Sequence, residues 1–103
     1  MNFSTQTATT FTAIDFSKLI TEGAWLVDVR TDAEFAEGHV AGSVNIPLHT
    51  IPDQLDLFKN KGNIIVFCRS GGRSTQAKAF LDMNGIENVV NGGTWNFINQ
   101  FCS

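Results

Sequence analysis

The sequence predicts one α/β domain in which helices flank both faces of a central, mostly parallel five-stranded sheet. Apolar runs of strand length alternate along the chain with segments of helical spacing, and this order is typical of a parallel sheet between helices. The chain has 103 residues, of which 43% are hydrophobic, and this suits one small domain with one core. We find no internal repeat, linker or low-complexity tract that would divide the chain.

The elements follow from apolar patterning in chain order. Five segments are predicted to be strands, and they cover residues 9–12, 24–29, 44–46, 64–67 and 89–90. Helical spacing is found between and after them, at residues 15–22, 31–37, 51–58, 74–85 and 94–98. Asp15 is placed to cap the first helix and Gly23 to end it. Pro52 is acceptable in the first turn of the third helix.

Two further segments complete the domain organisation. Residues 1–8 are rich in Ser, Thr, Asn and Gln and are predicted to be a flexible terminus, so the domain is placed at 9–101. Gly92 and Gly93 are expected to form a loop before the last helix.

The most informative stretch runs from Asn63 to Gly85. The continuous apolar run at 64–67 is typical of a parallel strand that is covered on both faces. Cys68 follows and opens a tight turn at 68–73, which leads into a helix. The helix dipole and unpaired N–H groups favour an anion there, and the thiolate is the reactive form of cysteine. Cys68 is therefore predicted to be an activated nucleophile.

The charges around this turn indicate a pocket for a small anion. Arg69, Arg73 and Lys78 lie close together, whereas the whole chain has seven Lys and Arg against ten Asp and Glu. A nucleic-acid surface would need a wider basic face. Gly71 and Gly72 permit positive φ and let backbone amides point inward as an anion-binding nest.

Three motifs in order resemble those of the rhodanese (thiosulfate sulfurtransferase) family. The sequence CRSGGRS at 68–74 resembles the active-site loop of that family. Upstream and downstream, the matching segments are Leu26–Arg30, Glu34–Phe35, Gly38–Val40, Gly42–Ser43, Asn45–Pro47 and Asn91–Trp95. The resemblance runs from about Phe11 to Phe97 and implies a single rhodanese-like domain.

The resemblance implies transfer of sulfane sulfur by covalent catalysis. Cys68 would take the outer sulfur of a donor such as thiosulfate and pass it from a persulfide to cyanide or a thiol. Arg73, with Arg69, would hold the sulfonate end of the donor, and backbone amides would cradle the persulfide. The residues expected to bind the donor are Arg69, Ser70, Gly71, Gly72, Arg73 and Ser74. Asp28 and Arg30 resemble scaffold residues near the active loop.

Three alternatives stay open at this point. Cysteine phosphatases and arsenate reductase-like enzymes resemble this loop, but the phosphatases have five residues between Cys and Arg, whereas four separate Cys68 from Arg73 here. A tetrahedral phosphate needs a wider ring of amides than one sulfur atom, so the shorter loop favours sulfur transfer. Many rhodanese-like domains are regulatory binding modules, which typically lack this cysteine. A sulfur relay that accepts persulfide from a protein donor would share Cys68 and the loop.

No cofactor or metal is predicted, and the expected partners are small molecules and sulfur-carrying proteins. His39 and His49 lie in different segments without a clustered partner ligand, so neither is expected to bind a metal. Thioredoxin-like and sulfur-relay proteins are candidate partners, and nucleic acid and membranes are not. The amino terminus has no signal-peptide pattern, so a cytoplasmic location is expected. Cys102 could resolve a Cys68 persulfide, but it is expected to be a frayed terminal thiol, so deletion of residues 102 and 103 should leave activity unchanged.

Overall fold

The fold is known from a computed structural model, which describes residues 14–102. Four strands of this part of the chain form one sheet, and they are β1 (Trp25–Asp28), β2 (Val44–Asn45), β3 (Ile64–Cys68) and β4 (Val89–Thr94). The strand order is β2-β1-β3-β4, and every pairing is parallel. The α-helices are α1 (Phe16–Thr21), α2 (Asp32–Glu37), α3 (Gly72–Met83) and α4 (Trp95–Asn99). The predicted parallel α/β architecture is confirmed.

The core is divided by the sheet into two clusters, because successive strand residues point to opposite faces. On one face, Val27, Ile64 and Val66 pack with Ala77 and Leu81 of α3. On the other face, buried strand residues pack against α1 and α4, and this second cluster contains Leu26, Ile65, Phe67, Leu19 and Ile98. Every residue of β3 is buried, which explains why this strand is a continuous apolar run.

Two predicted segments lie outside the described residues. They are the edge strand at 9–12, which would be the fifth strand of the sheet, and the flexible terminus at 1–8.

The prediction of one helix over 51–58 is wrong. Two 3₁₀-helices, Leu48–Asp53 and Leu55–Phe58, meet at Gln54 instead. Pro52 lies inside the first of them and has no N–H to donate, so it disfavours a continuous α-helix. Ile51 and Phe58 nevertheless face inward and are buried, as their spacing predicts.

The prediction of a loop at Gly92 and Gly93 is also wrong, because β4 continues through both residues. The pairing of β3 with β4 shifts register there, since Val66 pairs with Asn91 and Phe67 with Gly93. Gly92 is the extra residue of this bulge. A Cβ atom at Gly92 would lie 2.8 Å from Cδ1 of Ile98, so only glycine fits without a shift of the surrounding atoms.

In the part of the chain that the structure describes, none of the helices combines the length and the apolar character needed to cross a bilayer.

Candidate active site

The predicted nucleophile is the last residue of the central strand. Cys68 ends β3, is fully buried, and pairs in register with Thr94 at the end of β4. On the other side of β3, the N–H of Val29 donates to the carbonyl of Phe67 just after β1 ends. The carboxyl ends of three strands therefore surround the sulfur, at the edge where open α/β sheets bind ligands.

The turn after Cys68 directs polar hydrogens at the sulfur. The Gly71 N–H donates to Sγ at a distance of 3.0 Å, and the thiol of Cys68 donates to Oγ of Ser74 at 3.7 Å. Gly71 has a φ of 97°, in the left-handed region that favours glycine, so the turn requires a residue that tolerates this conformation. Helix α3 starts at Gly72, two residues earlier than its spacing predicts, so its amino end lies within the turn.

These contacts change the acidity of the thiol. Burial alone raises the pKa of Cys68, but the Ser74 N–H and hydroxyl and the N–H groups of Gly71 and Ser70 stabilise the thiolate. Their combined effect is larger, so the pKa of Cys68 is lowered below that of an ordinary thiol. The turn therefore favours the thiolate, which is the nucleophilic form of Cys68.

We expect the thiolate of Cys68 to form at a lower pH in the folded protein than in urea. In a Cys102→Ser variant, thiolate absorbance measured as a function of pH reports the titration of Cys68 alone. Ser74→Ala removes a hydroxyl that stabilises the thiolate and should raise the midpoint. Ser70→Ala is the matched control, because Ser70 acts through its backbone N–H. Equal midpoints for folded and unfolded protein would contradict this assignment.

Arg73 binds a carboxylate of the protein itself. Its Nη1 and Nη2 donate to the two carboxylate oxygens of Glu34 at 2.7 and 2.9 Å. The bond from Arg73 holds the pKa of Glu34 far below its usual range, and Glu34 in turn raises the pKa of Arg73. Arg73 was predicted to hold the donor; in the structure both ends of its guanidinium fork already have a partner.

Glu34 is the residue of this site that sequence reasoning did not select. It also accepts from the N–H and hydroxyl of Thr31 and forms the capping box of α2. A capping-box pattern, Thr followed three residues later by Glu, is visible in the sequence but predicts only a helix start. Glu34 thus ties the amino end of α2 to the amino end of α3.

The other residues predicted for the site differ in how far they are exposed to solvent. Arg69 and Ser70 are exposed at the start of the turn, and Ser74 is buried, where its hydroxyl donates to the carbonyl of Gly71 at 3.0 Å. Lys78 lies outside the turn and donates to Asp82 and to the carbonyl of Val89. Arg69 is therefore the member of the basic cluster with no ion-pair partner among residues 14–102.

Asp28 and Arg30 form a buried ion pair beneath the turn. Arg30 Nε and Nη2 both donate to Asp28, with the shortest distance 2.7 Å, and Nη2 also donates to the carbonyl of Gly38 at 2.7 Å. The guanidinium lies 4.6 Å from the ring centre of Trp95. The pair therefore joins the end of β1, the end of α2 and the start of α4.

A pocket of about 370 Å³ opens at the same edge of the sheet. Its lining residues are Arg30, Glu34, Glu37, Gly38, Arg69, Trp95 and Asn96. Since Arg69 directly follows Cys68 and Trp95 directly follows its ladder partner Thr94, the pocket adjoins the nucleophile.

The remaining candidates lie away from this pocket. The described residues contain no group of three or more His, Cys, Asp or Glu that could hold a metal ion. The ring of His39 stacks on Phe35 with 3.8 Å between centres. Cys102 is half-buried against the second core cluster rather than frayed, because α4 and the turn after it direct it inward. Burial raises the pKa of Cys102, so it is the less reactive thiol.

Comparisons with known proteins identify the family. The protein-family model named rhodanese-like domain matches residues 12–98 of this chain. A protein of Allochromatium vinosum named sulfurtransferase is 39% identical over 71 residues, which cover 69% of this chain and 66% of that protein. The thiosulfate sulfurtransferase PspE of Escherichia coli is 33% identical over 89 residues, covering 79% of this chain and 80% of PspE.

Solved structures agree with the sequence comparisons. A structure described as rhodanese with anions from E. coli superposes with a TM-score of 0.66 at 30% identity, over 73% of this chain and 91% of that one. Fold, loop position and sequence thus lead to one assignment: this chain belongs to the rhodanese-like domain family.

Proposed function

We propose that the protein is a sulfurtransferase that moves sulfane sulfur from thiosulfate, or from a related persulfide donor, to a thiophilic acceptor such as cyanide or a thiol. The observation that carries the proposal is the sulfur of Cys68 at the end of β3, with the Gly71 N–H 3.0 Å from it and a lowered pKa. The relatives named sulfurtransferases support the same reaction class.

The first half-reaction loads the enzyme. The Cys68 thiolate attacks the outer sulfur of thiosulfate, and a bond forms between Sγ and that sulfur. The sulfur–sulfur bond of thiosulfate breaks, and its electron pair leaves with sulfite. The product on the enzyme is a persulfide anion, so charge and electrons balance without an external oxidant.

The turn is suited to hold this anion. The N–H groups of Ser70, Gly71 and Ser74 stabilise negative charge on the sulfur, and preorganised donors do so without reorganisation. Arg69 is exposed and unpaired within the described residues, so it is the arginine assigned to the sulfonate end of the donor. Arg73 instead fixes the turn through Glu34.

Phosphoryl or arsenate chemistry is the second candidate among enzymes, and the turn disfavours it. Arg73, the residue that would clamp a phosphate, is bound at both ends by Glu34, and only four residues separate it from Cys68. A sulfur-relay role shares the same turn, whereas regulatory rhodanese-like modules typically lack its cysteine. A relay would take its sulfur from a persulfide protein, and a reducing compartment such as the cytoplasm suits the free thiol of Cys68.

Intact mass after incubation with thiosulfate tests the proposal. We expect a gain of one sulfur atom that dithiothreitol reverses and that a Cys68→Ser variant does not show. Absence of any gain with thiosulfate, together with release of phosphate from an aryl phosphate at enzymatic rates, would replace sulfur transfer with phosphatase activity. A gain only with a persulfide protein as donor would establish the relay.

A further inference from the structure

Two side chains of opposite charge line the pocket beside the turn and have no ion-pair partner among residues 14–102. They are Glu37, the last residue of α2, and Arg69, the first residue after Cys68. Both are exposed. Each is therefore available to a charged group of a ligand.

The other charges of the pocket are already neutralised by the protein. Arg30 is held by the buried Asp28, and Glu34 is held by Arg73. The ring of Trp95 and the side chain of Asn96 supply an aromatic surface and an amide. The pocket thus offers one free carboxylate and one free guanidinium beside an aromatic ring.

The size of the pocket exceeds that of the donor. Thiosulfate displaces about three waters, on the order of 90 Å³, whereas the pocket has a volume of about 370 Å³. Cyanide is smaller still. A dianionic donor also has no use for the carboxylate of Glu37, since like charges repel. The pocket is therefore better matched to a second, larger substrate with charges of both signs.

We propose that the pocket is the acceptor subsite and that it selects a small zwitterionic thiol, in which an ammonium group contacts Glu37 and a carboxylate contacts Arg69. The inference rests on the proposed function, because it concerns the second half-reaction, when sulfite has left and Arg69 no longer holds the sulfonate end of the donor. Bidentate binding of a carboxylate suits the guanidinium of Arg69, and the exposed carboxylate of Glu37 suits an ammonium group.

The step that this subsite serves is a second sulfur transfer. The acceptor loses its thiol proton to solvent, and its thiolate attacks the outer sulfur of the Cys68 persulfide. A bond forms between the two sulfurs, while the bond between Sγ and the outer sulfur breaks. The electron pair returns to Sγ, so Cys68 is again a thiolate and the product is a small persulfide.

Single-turnover kinetics on preloaded protein test the subsite. The protein is loaded with thiosulfate, freed of excess donor, and mixed with thiols that differ in charge: cysteine, cysteamine, 3-mercaptopropionate and 2-mercaptoethanol. Rates are corrected for thiolate fraction and intrinsic nucleophilicity, as measured on a free persulfide. We expect cysteine to react about tenfold faster than neutral 2-mercaptoethanol at equal thiolate, the size of a charge-assisted contact.

Two variants test separately how the charge of Glu37 and the charge of Arg69 affect the rates. Glu37→Gln should reduce the rates with cysteine and cysteamine and spare 3-mercaptopropionate, whereas Arg69→Gln should reduce those with cysteine and 3-mercaptopropionate. The matched control is Glu87→Gln, because Glu87 is an exposed acid just before Asn88, at the opposite end of the sheet. It should leave all four rates unchanged.

The two proposals fail in different ways. Protein that takes up sulfur neither from thiosulfate nor from a persulfide protein overturns the proposed function. Protein that loads but passes sulfur to the four thiols without regard to their charge overturns the subsite alone. A preference for cysteine that survives Glu37→Gln overturns the assignment of Glu37.

Discussion

Replacing Cys68 by serine is expected to reduce sulfur transfer by at least about 10³-fold, because it removes the atom on which the intermediate forms. The serine hydroxyl has nearly the same size but is a far weaker nucleophile and forms no stable adduct with sulfur. Turnover of thiosulfate with cyanide as acceptor measures the loss. The fold should be retained, since the change keeps the side chain small, and circular dichroism checks this.

Cys102 provides the matched control for that substitution. Cys102→Ser changes the same chemical group in the half-buried second thiol, on the opposite core cluster, and should leave turnover within about twofold of the parent, as for a residue outside the site. Substantial activity in Cys68→Ser, or a comparable loss in Cys102→Ser, would show that the sulfur is carried elsewhere.

Replacing Asp28 by alanine is expected to lower the free energy of unfolding by roughly 3–5 kcal/mol, the cost of removing one partner of a buried ion pair. Asp28 is fully buried and Arg30 is 4% exposed, so Arg30 would keep an uncompensated charge. A small domain has only about 5–15 kcal/mol of stability, so the variant should be close to unfolding at room temperature. Urea denaturation measures the change.

The control for Asp28 is an aspartate in an exposed ion pair. Asp56 lies 3.1 Å from Lys59, and its side chain is 93% exposed. Asp56→Ala should leave the urea midpoint unchanged within error, because solvent screens such pairs. Equal changes in the urea midpoint for the two substitutions would show that the buried pair of Asp28 and Arg30 does not stabilise the fold.

The central part of the fold could be predicted from the sequence because local composition determines it. Buried parallel strands are apolar runs, so β3 and the cysteine at its end are evident. The prediction of one helix over 51–58 is wrong because the apolar spacing on which it rests fits 3₁₀ turns around Pro52 equally well. The strand through Gly92 was missed because glycine usually marks a turn, whereas here its missing Cβ makes room for Ile98.

The candidate site was predictable only where it is contiguous in the chain. The turn from Cys68 to Ser74 is one segment, and the N–H groups of Ser70, Gly71 and Ser74 stabilise the thiolate, as the glycines and the helix start indicate. The partner of Arg73 lies 39 residues earlier, and the capping-box pattern at Glu34 predicts only a helix start, not a contact with Arg73. The direction of the Arg73 side chain therefore depends on tertiary packing, which sequence spacing does not encode.

The strand order determines when, during synthesis, the surroundings of the Cys68 thiol can form. Cys68 lies on β3, between β1, which precedes β3 in the chain, and β4, which follows β3 only after α3. Ser74 also lies 3.4 Å from the carbonyl of Gly93. The surroundings of the thiol are therefore completed only when β4 has left the ribosome and docked. Until then the sulfur belongs to an exposed strand edge, so the reactive group and the edge that favours aggregation are covered in the same late step.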